Sequence, residues 1–154
     1  MRAGRDGKDS RALPTVPGAP RWGIVPRVRG AARRARVLVI DDEPRMGKAL
    51  ERLLAPDHDV TVAAGAREAL DLVERGETWD VVLCDLMMPG MSGMGLHAEL
   101  SRRAPALAGR LVFMTGGAYT EEAQDFLARV PNQRLEKPFR PEALERLLRD
   151  LLGR

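Results

Sequence analysis

A chain of 154 residues, 44% of them hydrophobic, is long enough for one domain with a substantial core. No apolar run approaches the roughly 18 residues of a membrane span, no apolar signal core opens the chain, and one cysteine excludes an internal disulfide framework. The net charge of +3 conceals a division, because residues 1–36 hold ten Arg or Lys against two Asp while the remainder holds fifteen bases against twenty acids.

Residues 1–35, rich in Arg, Gly and Pro and without a sustained apolar period, read as a disordered basic tail or linker, and residues 36–154 as the domain. Such a tail can attract nucleic acid or anionic membrane. No helix-turn-helix pattern or aromatic-interleaved patch accompanies it, so nucleic acid is not an expected partner. An arm that binds DNA or RNA is the alternative.

The domain alternates strand and helix. Val37-Leu38-Val39-Ile40 is a buried strand run that ends in Asp41-Asp42-Glu43-Pro44. Pro44 suits a first helical turn, and Met46, Ala49, Leu50, Leu53 and Leu54 recur at helical spacing behind it. His58-Asp59 leads into Val60-Thr61-Val62-Ala63, a milder strand suited to a sheet edge. Ala66 to Arg75 forms a second amphipathic helix with Ala69, Leu70 and Val73 inward and Gly76 as its stop.

Val81-Val82-Leu83-Cys84 comes next, an apolar run between Trp79-Asp80 and Pro89-Gly90, and Asp85 ends it. Ser92-Gly93 opens a helix through Arg103 with Leu96 and Leu100 inward. Leu111-Val112-Phe113-Met114 is another buried run, ending in Thr115-Gly116-Gly117. Thr120 caps a helix whose first turn carries Glu121 and Glu122, favourable against the helix dipole. Leu135-Glu136 is a short strand ending in Lys137-Pro138-Phe139, and Pro141 begins a last helix with Leu144, Leu147, Leu148, Leu151 and Leu152 on one face.

Open α/β sheets bind their ligands outside the carboxyl ends of the strands. Here those ends carry acids, a hydroxyl and an amine. Acidic strand ends sharing one edge repel unless a cation lies between them, and carboxylate oxygens suit Mg²⁺. A hydroxyl and an ammonium beside them suit the oxygens of a phosphoryl group.

An acid pair after the first strand, Asp85 after the third, Thr115 after the fourth and Lys137-Pro138 after the fifth, thirty and fifty-two residues beyond Asp85, resemble the receiver domain of two-component response regulators. The resemblance covers about Arg36 to Leu152, and the run from Leu135 to Phe139 is similar to receivers attached to hybrid histidine kinases. It implies a doubly wound, flavodoxin-like α/β fold: five parallel strands in the order 2-1-3-4-5 with five flanking helices. It also implies phosphorylation of Asp85 with Mg²⁺ as cofactor. Asp42, Asp85 and the backbone carbonyl of Met87 would ligate the metal, with Asp41 acting mainly through a bound water. Thr115 and Lys137 would each engage a phosphoryl oxygen, and Lys137-Pro138 would be cis.

The expected donor is a histidine kinase or phosphotransfer protein, the recipient of the signal a downstream protein, and the location cytoplasmic, where a lone cysteine stays reduced. No output domain is expected after Lys137, and no enzymatic activity beyond self-phosphorylation and slow dephosphorylation. Other residues read as structure. Cys84 and Met87, Met88, Met91 and Met94 are expected to pack, His58 and His97 to be surface or structural, Gly116-Gly117 to give a turn, and Glu43 to be a solvated first-turn residue.

One position departs from the family. Three residues before the lysine, where receivers carry Tyr or Phe, this chain has Arg134. The aromatic switch is therefore not expected. A reading from another class is a small Mg²⁺-dependent phosphohydrolase with an Asp nucleophile. Its family spaces its two acids on the first strand two positions apart, whereas Asp41 and Asp42 are adjacent.

Overall fold

The computed structural model describes residues 33–117 and 120–153. Five parallel strands, β1 (Ala35–Ile40), β2 (His58–Ala63), β3 (Val81–Asp85), β4 (Leu111–Thr115) and β5 (Arg134–Glu136), form one sheet in the order β2-β1-β3-β4-β5. The helices are α1 (Pro44–Leu54), α2 (Ala66–Glu74), α3 (Gly93–Arg103), α4 (Pro105–Ala108), α5 (Glu121–Arg129) and α6 (Pro141–Leu152). This is the flavodoxin-like order that the motif pattern implied, with β1 and β3 side by side where the winding reverses.

The described residues hold six helices rather than five. Arg103 is the last residue of α3, and Ala104 leaves the helical region at φ −146°. Pro105, which cannot donate a backbone hydrogen bond, then starts the single turn of α4. The expected tail lies mainly outside the described residues. β1 opens at Ala35, one residue before the domain start read from the sequence, and Ala35 is buried. Arg34 donates to Asp59 Oδ1 at 2.8 Å and to the carbonyls of Ala55, Pro56 and His58, which ties the start of β1 to the turn before β2.

Strand alternation divides the core. Leu38, Ile40, Val82, Cys84, Leu111 and Phe113 face the helices α2 to α5, where Leu70, Leu96, Leu100, Leu107 and Leu127 cover them. Val37, Val39, Val81, Leu83, Val112 and Met114 face α1 and α6, against Leu50, Leu54, Leu144 and Leu148. A central strand buried on both faces must be apolar at every position, which is why these runs show no alternation in sequence. Only one stripe of α1 reaches the sheet, so Leu50 and Leu54 are buried while Ala49 is exposed.

The caps follow the side chains available. Ser92 Oγ accepts from the Gly95 amide at 3.2 Å and Thr120 Oγ1 from the Ala123 amide at 3.1 Å, each satisfying a first-turn donor. Gly153 ends α6 in the left-handed region at φ 66°.

Candidate functional site

The β1–β3 register sets the site. Ile40 pairs with Cys84, so Asp41 and Asp85 leave adjacent strand ends together. The Asp41 amide donates to the Ala63 carbonyl at 3.2 Å and holds this end against β2. Ligand oxygens of Asp41, Asp42 and Asp85 all lie within 4.8 Å of one another. Asp41 is buried, Asp85 half-buried and Asp42 exposed, so the group opens to solvent on one side.

Lys137 enters from the end of β5. Its Nζ donates to Asp41 Oδ2 at 3.0 Å and stands 3.6 Å from Asp85 Oδ2. The Lys137 amide donates to the Thr115 carbonyl at 2.7 Å, and the Lys137-Pro138 peptide is cis, as the resemblance implied. Thr115, fully buried, is the last residue of β4. The neighbouring Met114 pairs with Asp85 across the β3–β4 ladder, and its carbonyl accepts from the Leu86 amide at 2.9 Å. Acids, hydroxyl and amine thus come to one edge from four strand ends.

The electrostatics are unbalanced, with three carboxylates gathered around one ammonium. Burial pushes the Asp85 carboxyl above the usual carboxylate range; Lys137 pulls it back, and Asp41 and Asp42 push it up again. The Met87 amide, 3.4 Å from Asp85 Oδ1, favours the ionised form. A second cation would relieve this cluster. Its donors are hard oxygens on a partly open rim, the set that Mg²⁺ takes while keeping several waters. The residues present fit that ion.

Other expected residues fall into place as structure. Glu43 is exposed at the start of α1, and its amide, not its carboxylate, serves the site by donating to Asp41 Oδ1 at 2.9 Å. Burial, with Asp85 and Asp41 close by, pushes the Cys84 thiol far up. It stays protonated and packs in the core. His97 sits 5.3 Å from the Phe126 ring and 6.0 Å from the Phe113 ring, which makes it part of the α3–β4–α5 packing. Gly117 takes φ 85° in the turn after Thr115. Met87 is 46% exposed beside Asp85, whereas Met88 is buried as expected of filler. Arg134 is exposed on β5.

Two features of the site were not read from the sequence. One is the brace from the Gly93 amide to the Leu86 carbonyl, 2.9 Å, which ties the loop after Asp85 to the start of α3. The other is that the Glu43 backbone, two residues past Asp41, occupies one oxygen of that acid. Both are backbone contacts, and side-chain patterns do not carry them.

Residues 37–149 match the family described as the response regulator receiver domain. The chain belongs to that family. Among curated relatives, this receiver is 34% identical over 129 residues to the transcriptional regulatory protein TcrA of Mycobacterium tuberculosis, covering 83% of this chain and 50% of that one. It is 32% identical over 116 residues to the nitrate/nitrite response regulator protein NarL of Escherichia coli, covering 74% and 53%. The chain thus spans about half the length of the curated relatives it matches.

Among solved structures, the receiver is similar to a response regulator receiver domain protein of Clostridium thermocellum, with TM-score 0.67, 28% identity and coverage of 77% of this chain and 94% of that one. The Vibrio cholerae chemotaxis protein CheY4 gives TM-score 0.67 and 27% identity over 78% of this receiver and 100% of that chain. Among the described residues, no helix is long and apolar enough to cross a membrane.

Proposed function

We propose that this receiver accepts a phosphoryl group on Asp85 from the phosphohistidine of a histidine kinase or phosphotransfer protein, and that it signals through the surface that phosphorylation alters. The observation that carries this reading is the convergence of Asp41, Asp42 and Asp85 within 4.8 Å, with Lys137 Nζ on Asp41 and near Asp85. In the transfer, the donor's N–P bond breaks as an Asp85 Oδ–P bond forms, and the imidazole nitrogen keeps the electron pair.

Each residue has a part in this reading. Lys137 holds the Asp85 carboxylate ionised against the burial that disfavours its charge. It then pairs with a phosphoryl oxygen. Thr115 donates its hydroxyl to another. Asp42, Asp85 and the Met87 carbonyl would hold Mg²⁺, which supplies charge neutralisation to the transferring oxygens. Asp41 acts on the metal through water. That indirect part suits its geometry, since Oδ1 already accepts from Glu43 and Oδ2 from Lys137. The aspartyl phosphate carries about −1.5 to −2 charge where the carboxylate carried one negative charge, and it brings three acceptor oxygens to the strand ends, enough to bias two packings of the neighbouring loops. A cytoplasmic location is part of the same reading.

Intact mass after incubation with Mg²⁺ and acetyl phosphate tests it. One added phosphate is expected on the wild type, and none on Asp85→Asn or without Mg²⁺. A phosphate that survives in Asp85→Asn sinks the assignment of the acceptor. Steady turnover of small phosphate esters would instead favour the phosphohydrolase.

A further inference from the structure

Gly93 is the first residue of α3, and its φ is not positive, so its backbone conformation does not call for glycine. Alanine would favour a helix by roughly 0.5–1 kcal/mol. Space gives the reason. A Cβ on Gly93 would stand 2.8 Å from the Asp85 carbonyl oxygen, 3.0 Å from Leu86 Cα and 3.3 Å from the Leu86 oxygen. All three atoms are backbone, which cannot rotate aside as a side chain does. The Gly93 amide meanwhile donates to the Leu86 carbonyl at 2.9 Å. The same two peptide units connect the Asp85 carboxylate to Met87, whose amide lies 3.4 Å from Asp85 Oδ1.

We infer that Gly93 is a positioning residue for the metal and phosphoryl site. Its missing side chain lets the first turn of α3 close on the Asp85–Leu86 backbone, and that closure fixes where the Asp85 carboxylate and the Met87 backbone stand. The inference rests on the proposed function, because the site it positions is the one proposed there. Two other glycines provide contrast. A Cβ on Gly95 would meet the flexible Met91 side chain at 3.0 Å, and one on Gly47 would meet Val62 Cγ1 at 2.8 Å, on β2. Neither presses on the Asp85–Leu86 backbone.

The test compares wild type, Gly93→Ala, Gly95→Ala and Gly47→Ala, each at a temperature where circular dichroism reports it folded. Mg²⁺ affinity is measured by calorimetric titration, and the backbone amide resonances of Leu86 and Met87 are recorded before metal is added. Gly93→Ala is expected to bind Mg²⁺ at least about tenfold more weakly, as when residues that orient metal ligands are lost. Its Leu86 and Met87 resonances move in the metal-free protein. Gly95→Ala and Gly47→Ala keep wild-type affinity, even where the melting temperature falls.

Wild-type affinity and unmoved resonances in Gly93→Ala overturn the positioning role, whatever its melting temperature. Should Gly93→Ala not fold, all four proteins are compared in trimethylamine oxide, which favours compact states. Failure to fold there also overturns the role, because glycine would then serve the fold and not the site. A wild type that neither binds Mg²⁺ nor takes phosphate from acetyl phosphate overturns the proposed function itself. A competent wild type beside an unchanged Gly93→Ala overturns the positioning role alone.

Discussion

The burial of the Asp85 carboxylate costs the fold stability. Its folded carboxyl titrates above its ordinary 3.8, chiefly because it is buried. A raised carboxylate means that the folded state holds the proton more tightly than the unfolded one, so stability is lost as pH rises through that interval and stays lost above it. Asp85→Asn is therefore expected to melt higher than wild type without Mg²⁺. The gap should be small in acid, widen as pH rises through the carboxylate range and then level off, which thermal melts in a pH series would check. Lys137 has the opposite sign. Lys137→Met removes the partner of the buried Asp41 and is expected to cost about 2 kcal/mol, read as a lower urea midpoint, and to slow phosphorylation. No loss of stability would contradict the ion pair seen between Lys137 and Asp41.

The helices stand on ordinary capping and packing, and their ends aim the site. Ser92 begins α3 directly after the loop that follows Asp85. Ser92→Ala should cost about 1 kcal/mol by freeing a first-turn amide, measured by denaturant unfolding. β5 is three residues long at the sheet edge, and Arg134 lies exposed upon it. Arg134→Ala is accordingly expected to change stability by less than about 0.5 kcal/mol and to leave phosphorylation by acetyl phosphate unaltered. A large loss in either would mean that Arg134 has a partner in the working state.

For the whole molecule, the proposed Mg²⁺ site would link ion binding to folding. An ion that binds only the folded state stabilises it by about 2.7 kcal/mol at a hundredfold excess over its dissociation constant. Added Mg²⁺ should raise the melting temperature, a chelator should reverse this, and Asp85→Asn should respond less than wild type. Equal responses in the two proteins would place the ion elsewhere. The chain spans about half the length of such curated relatives as the ycf27 and TcrA regulators.

Strand runs, helix faces and the residue types at the strand ends were legible in the chain itself. A run buried on both faces has no choice but to be apolar, and an acid, hydroxyl or amine at its end stands out against it. Asp41, Asp42, Asp85, Thr115 and Lys137 were all singled out that way, and the sheet order came with the family pattern they make. What only the tertiary structure decided is how those ends meet: Lys137 on Asp41 at 3.0 Å, the Glu43 amide on the same acid, and Gly93 closed against the Asp85–Leu86 backbone. Such contacts depend on register and on main-chain atoms that every residue shares. Residue identity does not encode them one position at a time. The single turn at Pro105 escaped for the same reason, since it is settled by what packs against the element from outside it.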